Sequence, residues 1–81
     1  MFYVYLLKSE TTNKAYVGFT TDLKQRYESH NAGHNKSTKS GVPWILIYYE
    51  AYKDESSARI REKKLKQYGN SLALLKKRLS L

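Results

Sequence analysis

Two tyrosines stand on consecutive strand-like segments, Tyr5 in Tyr3-Val4-Tyr5-Leu6-Leu7 and Tyr16 in Ala15-Tyr16-Val17-Gly18, and an arginine and a histidine follow on a helix-like stretch, Arg26 and His30. A phenol hydroxyl accepts or relays a proton, and a guanidinium fork grips the non-bridging oxygens of a phosphate. Both are wanted where a phosphodiester is cut. What that set lacks is a ligand for a metal ion, and Glu62, farther along the chain, has the chemistry to supply one.

The charge balance points to the same class of substrate. Fifteen Lys and Arg against 7 Asp and Glu leave a net +8 on 81 residues, a field dense enough to attract polyanions, nucleic acid first among them. A chain this short makes one small domain, residues 1–81, around a modest core. It has no cysteine, which excludes disulfides and thiolate zinc sites and fits a reducing compartment. No apolar run approaches a membrane span, and Phe2 to Leu7 is too short for a signal peptide and lacks its flanking signals. A cytoplasmic protein is expected.

Several elements must position these side chains. Phe2 to Lys8 and Ala15 to Phe19 are rich in aromatic and branched residues around the polar turn Ser9 to Lys14, a hairpin pattern. The strand period puts Tyr3, Tyr5 and Leu7 on one face and Phe2, Val4 and Leu6 on the other, so helices are needed on both. Thr20 or Thr21 is placed to cap a helix that begins near Asp22 and ends near Asn31 to Gly33. Its stripe Leu23, Arg26, Tyr27 and His30 recurs at i, i+3, i+4 and i+7, which turns Arg26 and His30 inward.

Asn31 to Gly41 reads as a cationic, mobile loop carrying His34, Lys36 and Lys39, closed by Pro43. Trp44 to Tyr52 is a nearly unbroken β-forming run, a third strand covered on much of both faces. Asp54 or Ser56 opens a second helix to about Tyr68, with Gly69 as its stop and Asn70 or Ser71 capping a last helix through Leu79. The expected fold is α/β of the α+β kind: a small three-stranded antiparallel sheet flanked by three helices.

Within the second helix Ala58, Glu62 and Leu65 share the inward face. An uncompensated buried ion costs roughly several kcal/mol, so a cation must meet Glu62: a metal, Arg26 or a neighbouring lysine. Each residue of the set also has a plain structural explanation. Tyrosines serve as core aromatics with hydroxyls at the rim, and Arg26 or His30 could bury only a stem or ring. Their joint order sets them apart: eleven positions from Tyr5 to Tyr16, ten to Arg26, four to His30, then an inward glutamate on a later helix.

On these residues the chain resembles the GIY-YIG nuclease superfamily, and within it the short stand-alone bacterial members of the UPF0213 kind. Tyr3-Val4-Tyr5 stands for the first motif element, Tyr16-Val17-Gly18 for the second, Arg26 and His30 for the first-helix pair and Glu62 for the metal-binding acid. Two positions depart from the pattern. Tyr3 replaces the glycine of the first motif, and Phe19 follows Gly18 where the nucleotide-excision-repair nuclease has a lysine that helps activate the base. Asn70 could match an asparagine found late in some members, although helix capping explains it as well.

The resemblance implies hydrolysis of DNA phosphodiesters, in repair or recombination, with one divalent ion, Mg2+ or Mn2+, held by Glu62. The scarcity of acids fits one ion better than two, since no Asp-x-Asp or similar pair appears. Tyr5 or Tyr16 would be the base, Arg26 would stabilise the transition state, and His30 would orient a tyrosine or touch the phosphate. A free phenol titrates near ~10, so a tyrosine base needs a cation beside it. Lys36, Lys39, Lys63, Lys64 and Lys66 would hold the DNA, or RNA, through its phosphates. The alternatives are a nucleic-acid-binding module of the same fold that cuts little or nothing, and a protein-interaction domain whose charge is incidental.

Overall fold

The computed structural model describes residues 1–67 and 69–81. β1 (Phe2–Ser9) and β2 (Ala15–Thr20) form an antiparallel hairpin in which Tyr5 pairs with Gly18 and Leu7 with Tyr16. Its turn closes because Ser9 Oγ accepts hydrogen bonds from the backbone N–H groups of Thr11 (3.1 Å) and Thr12 (2.9 Å), while Asn13 takes the left-handed conformation at φ 65°. β3 (Trp44–Tyr52) pairs antiparallel with the other edge of β1, giving the order β2-β1-β3. The register shifts between Leu6, opposite Tyr48, and Leu7, opposite Leu46, so Ile47 is the extra residue and joins Tyr48 against the same core. The three-stranded antiparallel sheet read from the sequence is present.

Central β1 feeds two cores. On one face Tyr5, Leu7 and Trp44 pack with Tyr16, Leu46 and, from α1 (Leu23–Asn31), Leu23 and Tyr27. On the other, Val4, Leu6 and Val17 meet Ala58 and Leu65 of α2 (Glu55–Gln67) and Leu75 of α3 (Gly69–Arg78). Leu6 and Leu7 are both almost wholly buried, and burial of each side chain contributes about 1.5–3 kcal/mol. The alternation of β1 therefore dictates a helix layer on either side. β3 is less covered than its run of β-formers suggested, with Ile45 and Tyr49 exposed.

Helix ends depart from the sequence expectation at identifiable places. The N-cap of α1 is Asp22, not Thr20 or Thr21: its carboxylate accepts from the backbone N–H of Gln25 at 3.1 Å. Thr20 is already engaged, its hydroxyl accepting from Asp22 N–H at 3.0 Å and donating to Asp22 C=O at 3.1 Å. Asp54 caps α2 as expected, accepting from Ser57 N–H at 2.9 Å. Gly69 does not stop a helix but begins α3, which places Asn70 and Ser71 inside that helix rather than at its cap. The expected end near Tyr68 lies outside the described residues. α3 finishes with Ser80 at φ 60°, its N–H bonded to Lys77 C=O (3.1 Å) and that of Leu81 to Lys76 C=O (2.9 Å), which satisfies the last carbonyls.

Two cross-links fix the helix layers on the sheet. Glu50 of β3 accepts from Arg61 Nε (3.0 Å) and Nη2 (3.0 Å), from Tyr48 Oη (2.7 Å) and from Tyr52 Oη. Burial opposes the Glu50 charge, but the bonds from Arg61, Tyr52 and Tyr48 outweigh it and hold the carboxyl below its usual range. α2 is thereby docked on β3. At the other layer, Asn31 grips the backbone of Trp44 from both sides, donating through Nδ2 to its C=O at 2.9 Å and accepting its N–H at 2.6 Å. The segment between α1 and β3, read as a mobile loop, is tied down: the Trp44 ring covers Gly41 and donates from Nε1 to Thr38 C=O (2.7 Å), and Ser9 Oγ donates to Gly41 C=O (2.6 Å). Among the described residues no helix is long and apolar enough to cross a membrane.

Candidate active site

Tyr5 is the hub. It lies on the α1 face of the central strand with Gly18 directly opposite in β2, and a Cβ on Gly18 would overlap the phenol ring. The absence of a side chain there lets the ring cross the neighbouring strand. Its hydroxyl sits 2.8 Å from His30 Nε2, and Tyr5 is 3% exposed. Burial raises its pKa well above the ordinary phenol value, and the nearby Tyr16 and Glu62 add to the rise while Arg26 opposes it. Side chains from β2, α1 and α2 thus act on one phenol of β1.

His30 is fully buried between both tyrosine rings, 5.1 Å from the Tyr16 centroid and 5.8 Å from that of Tyr5. Its Nδ1 is 2.8 Å from Thr38 Oγ1, and the Thr38 hydroxyl in turn donates to Asn35 C=O at 3.3 Å. With the Thr38 proton so used, His30 Nδ1–H donates to Thr38, His30 Nε2 accepts, and the Tyr5 O–H donates to it. Burial first, then the charge of Arg26, lowers the His30 pKa from its ordinary value, which favours the neutral imidazole. Both ring nitrogens are engaged, so His30 orients Tyr5 and presents neither nitrogen to a phosphate.

Tyr16 and Arg26 are the uncommitted members. Both are half-buried, and among the described residues Arg26 has no carboxylate partner and the Tyr16 hydroxyl no hydrogen bond. Tyr16 is held by its ring alone, edge-on to His30 and 6.1 Å from the Trp44 centroid. A half-buried guanidinium without a carboxylate partner has the chemistry to take an anion.

Glu62 reaches this group from α2, whose Ala58 and Leu65 are buried as its pattern required. Its side chain is 16% exposed and meets two cations, Lys66 Nζ at 2.9 Å and Arg59 Nη1 at 3.6 Å. Arg26 is not its partner. Lys66, expected to hold nucleic acid, has its Nζ 5.7 Å from the Tyr16 ring centroid. Lys36, Lys39, Lys63 and Lys64 are exposed, the first two in the loop before β3 and the others on α2. No cluster of three or more His, Cys, Asp or Glu side chains exists among the described residues. The donor set still suits a hard, well-hydrated cation: one carboxylate, already holding an ammonium as a stand-in, leaves the remaining positions to water and phosphate oxygens.

Three contributors escaped the sequence reading. Thr38 sits in a polar tract that resembles solvated loop, yet it is 1% exposed and fixes the His30 tautomer. Asn31 holds the Trp44 backbone against the end of α1. Arg59 stacks over Phe19, 3.7 Å from the ring centroid, so the position that departs from the family pattern serves as a platform for a cation.

Comparison with known proteins identifies the family. Residues 1–78 match the profile of the GIY-YIG catalytic domain. The chain is 37% identical to a UPF0213 protein of Staphylococcus haemolyticus over 73 residues, 89% of this chain and 88% of the relative. It is 40% identical to a UPF0213 protein of Streptococcus pyogenes serotype M5 over 78 residues, covering 90% and 83%, and 36% identical to one of Haloquadratum walsbyi over 67 residues, covering 82% and 74%. No solved structure gives a significant match.

Proposed function

We infer, because this chain belongs to the GIY-YIG catalytic-domain family, that it is a nuclease that hydrolyses DNA phosphodiesters with the help of one divalent cation. The observation that carries this reading is convergence. His30 joins Tyr5 (2.8 Å) to the Tyr16 ring (5.1 Å), Lys66 joins that ring (5.7 Å) to Glu62 (2.9 Å), and Arg26, on the same helix as His30, has no carboxylate partner among the described residues.

In this reading Arg26 binds the non-bridging oxygens of the scissile phosphate and stabilises the charge that grows on them. Tyr16, once its own proton has passed to solvent, takes the proton of the attacking water as the phenolate, a role open to it because no hydrogen bond commits its hydroxyl among the described residues while that of Tyr5 is committed to His30. Tyr5, oriented by His30 and Thr38, keeps its proton and turns its oxygen lone pairs toward the attacking water. Glu62 holds Mg2+ or Mn2+ together with water and phosphate oxygens; when bound, the ion polarises the phosphate and eases departure of the leaving oxygen. Lys36, Lys39, Lys63 and Lys64 retain the backbone by charge, and the substrates are those of repair or recombination, such as branched DNA.

Purified protein with Mg2+ or Mn2+ is expected to nick plasmid or branched DNA, and Glu62→Ala is expected to bind DNA without cutting it. Equal behaviour of wild type, Glu62→Ala, Arg26→Ala and Tyr16→Phe would remove the catalytic reading. One observation favours a non-cutting nucleic-acid-binding module instead, namely that Glu62 already holds two cationic side chains. Binding that survives chelation, with no cleavage on any substrate, is the signature of that module.

A further inference from the structure

We propose that Lys66 keeps Glu62 closed to divalent cations until a phosphodiester draws its ammonium away, which makes metal and nucleic acid bind in mutual dependence. The proposal rests on Glu62 being the metal ligand, and it concerns what this chain's own cations do to that ligand.

The two cations on Glu62 are held very differently. Arg59 is tied at three points: 3.6 Å from Glu62, 3.6 Å from Glu55 and 3.7 Å above the Phe19 ring. Among the described residues Lys66 has one short partner, Glu62 Oε2 at 2.9 Å, and a distant approach to the Tyr16 ring at 5.7 Å. Its side chain is 44% exposed, against 16% for Glu62. A compact ammonium on a flexible four-carbon stem changes partners more readily than a guanidinium fixed on an aromatic platform. Lys66 is therefore the cation that leaves.

Displacing it from Glu62 has a cost, because a mostly buried carboxylate loses the closer of its two counter-ions. A divalent cation arriving alone must meet that cost with one carboxylate and its own waters, and a hydrated Mg2+ or Mn2+ gives up waters reluctantly. A phosphodiester seated on Arg26 changes the balance. It offers the Lys66 ammonium a new anion beside the old one, and it offers the entering metal further oxygen ligands. By linkage, whatever nucleic acid adds to metal affinity, metal adds equally to nucleic-acid affinity. A free nuclease that loads its ion poorly cuts only once the backbone is seated.

The test measures Mn2+ binding by calorimetry or by the EPR signal of free Mn2+, in a Tyr16→Phe background that leaves DNA intact, with and without a short DNA duplex. Without DNA, Lys66→Met is expected to bind Mn2+ about fivefold more tightly than the background protein, while Lys64→Met, an equal loss of charge two residues away, shows a clearly smaller gain. With DNA the background protein gains most of the difference and Lys66→Met gains less. Lys66→Gln serves as a second variant, and thermal melts establish that each is folded. Equal affinities for the Lys66 and Lys64 variants, or an equal DNA effect in background and Lys66→Met proteins, overturn the proposal while leaving Glu62 as a ligand. Mn2+ binding that is unchanged by Glu62→Gln overturns both.

Discussion

Gly18 lies directly across the β1–β2 ladder from Tyr5, and the Tyr5 ring rests where a Gly18 side chain would be. The ring cannot swing aside without losing its bond to His30. Gly18→Ala is expected to destabilise the fold by about 1–3 kcal/mol, as overpacking does. In a double-mutant cycle read by urea denaturation, Tyr5→Leu should absorb most of that loss; additive costs would show that the ring does not set the requirement for glycine.

The Tyr5–His30–Thr38 chain makes its own prediction. Thr38→Val leaves a buried imidazole N–H without an acceptor, a loss of about 1–3 kcal/mol, whereas Thr38→Ser retains the bond and costs less. Nitrogen chemical shifts should report a neutral His30 protonated on Nδ1. An imidazole protonated on Nε2 would reverse the donor order and leave Tyr5 accepting from His30.

Acid should weaken the fold in two windows. His30 has a lowered folded pKa, so below about pH 6.5 the unfolded chain takes up a proton that the folded chain refuses, and stability falls with pH there while staying flat above. Glu50 also has a lowered folded pKa, so its contribution is present above about pH 4.5 and is lost as pH falls through the folded value. Denaturation midpoints against pH check this: Glu50→Gln should flatten the lower limb and spare the upper. A midpoint that does not move between about pH 7 and pH 5 would contradict the buried neutral imidazole.

Between the two tyrosines, cleavage should discriminate. Tyr16→Phe removes the free hydroxyl and is expected to lower kcat by about 10²–10⁴, the usual worth of a positioned base. Tyr5→Phe keeps the ring over Gly18 and should cost less in rate, while losing about 1–3 kcal/mol of stability because His30 Nε2 is left unpaired. A larger rate loss in Tyr5→Phe at full occupancy of the fold would exchange their roles.

Salt dependence tests the outer lysines. Each of Lys36, Lys39, Lys63 and Lys64 that contacts a phosphate should, as alanine, reduce the slope of log affinity against log salt by about 1, uniformly across DNA sequences. An unchanged slope in the quadruple variant would put the backbone elsewhere on the surface.

The sheet was legible because β1 and β3 are short, nearly continuous runs of aromatic and branched residues bounded by turn residues, and Arg26 and His30 were legible because helical spacing carries them to the Tyr5 face. What stayed hidden depends on contacts between elements far apart in the chain. Thr38 is in a tract of polar residues, and nothing local distinguishes a hydroxyl bonded to a buried imidazole from one in water. The Arg61 grip on Glu50 was silent, and a neighbouring lysine was only one of the partners open to Glu62, since α2 is basic on most of its faces and sequence alone does not say which cation turns inward. Thr20 and Asp22 competed for one cap, and the side chain nearer the helix took it.

Placing Tyr5 on the middle strand has an evolutionary corollary. A substitution in Tyr5 or its neighbours disturbs the interior before it disturbs reactivity, so descendants that give up cutting while staying folded should have changed Glu62 or Arg26 at the periphery and kept the phenol. An intact Tyr5 is consequently poor testimony of an active enzyme, and an intact Glu62 is better.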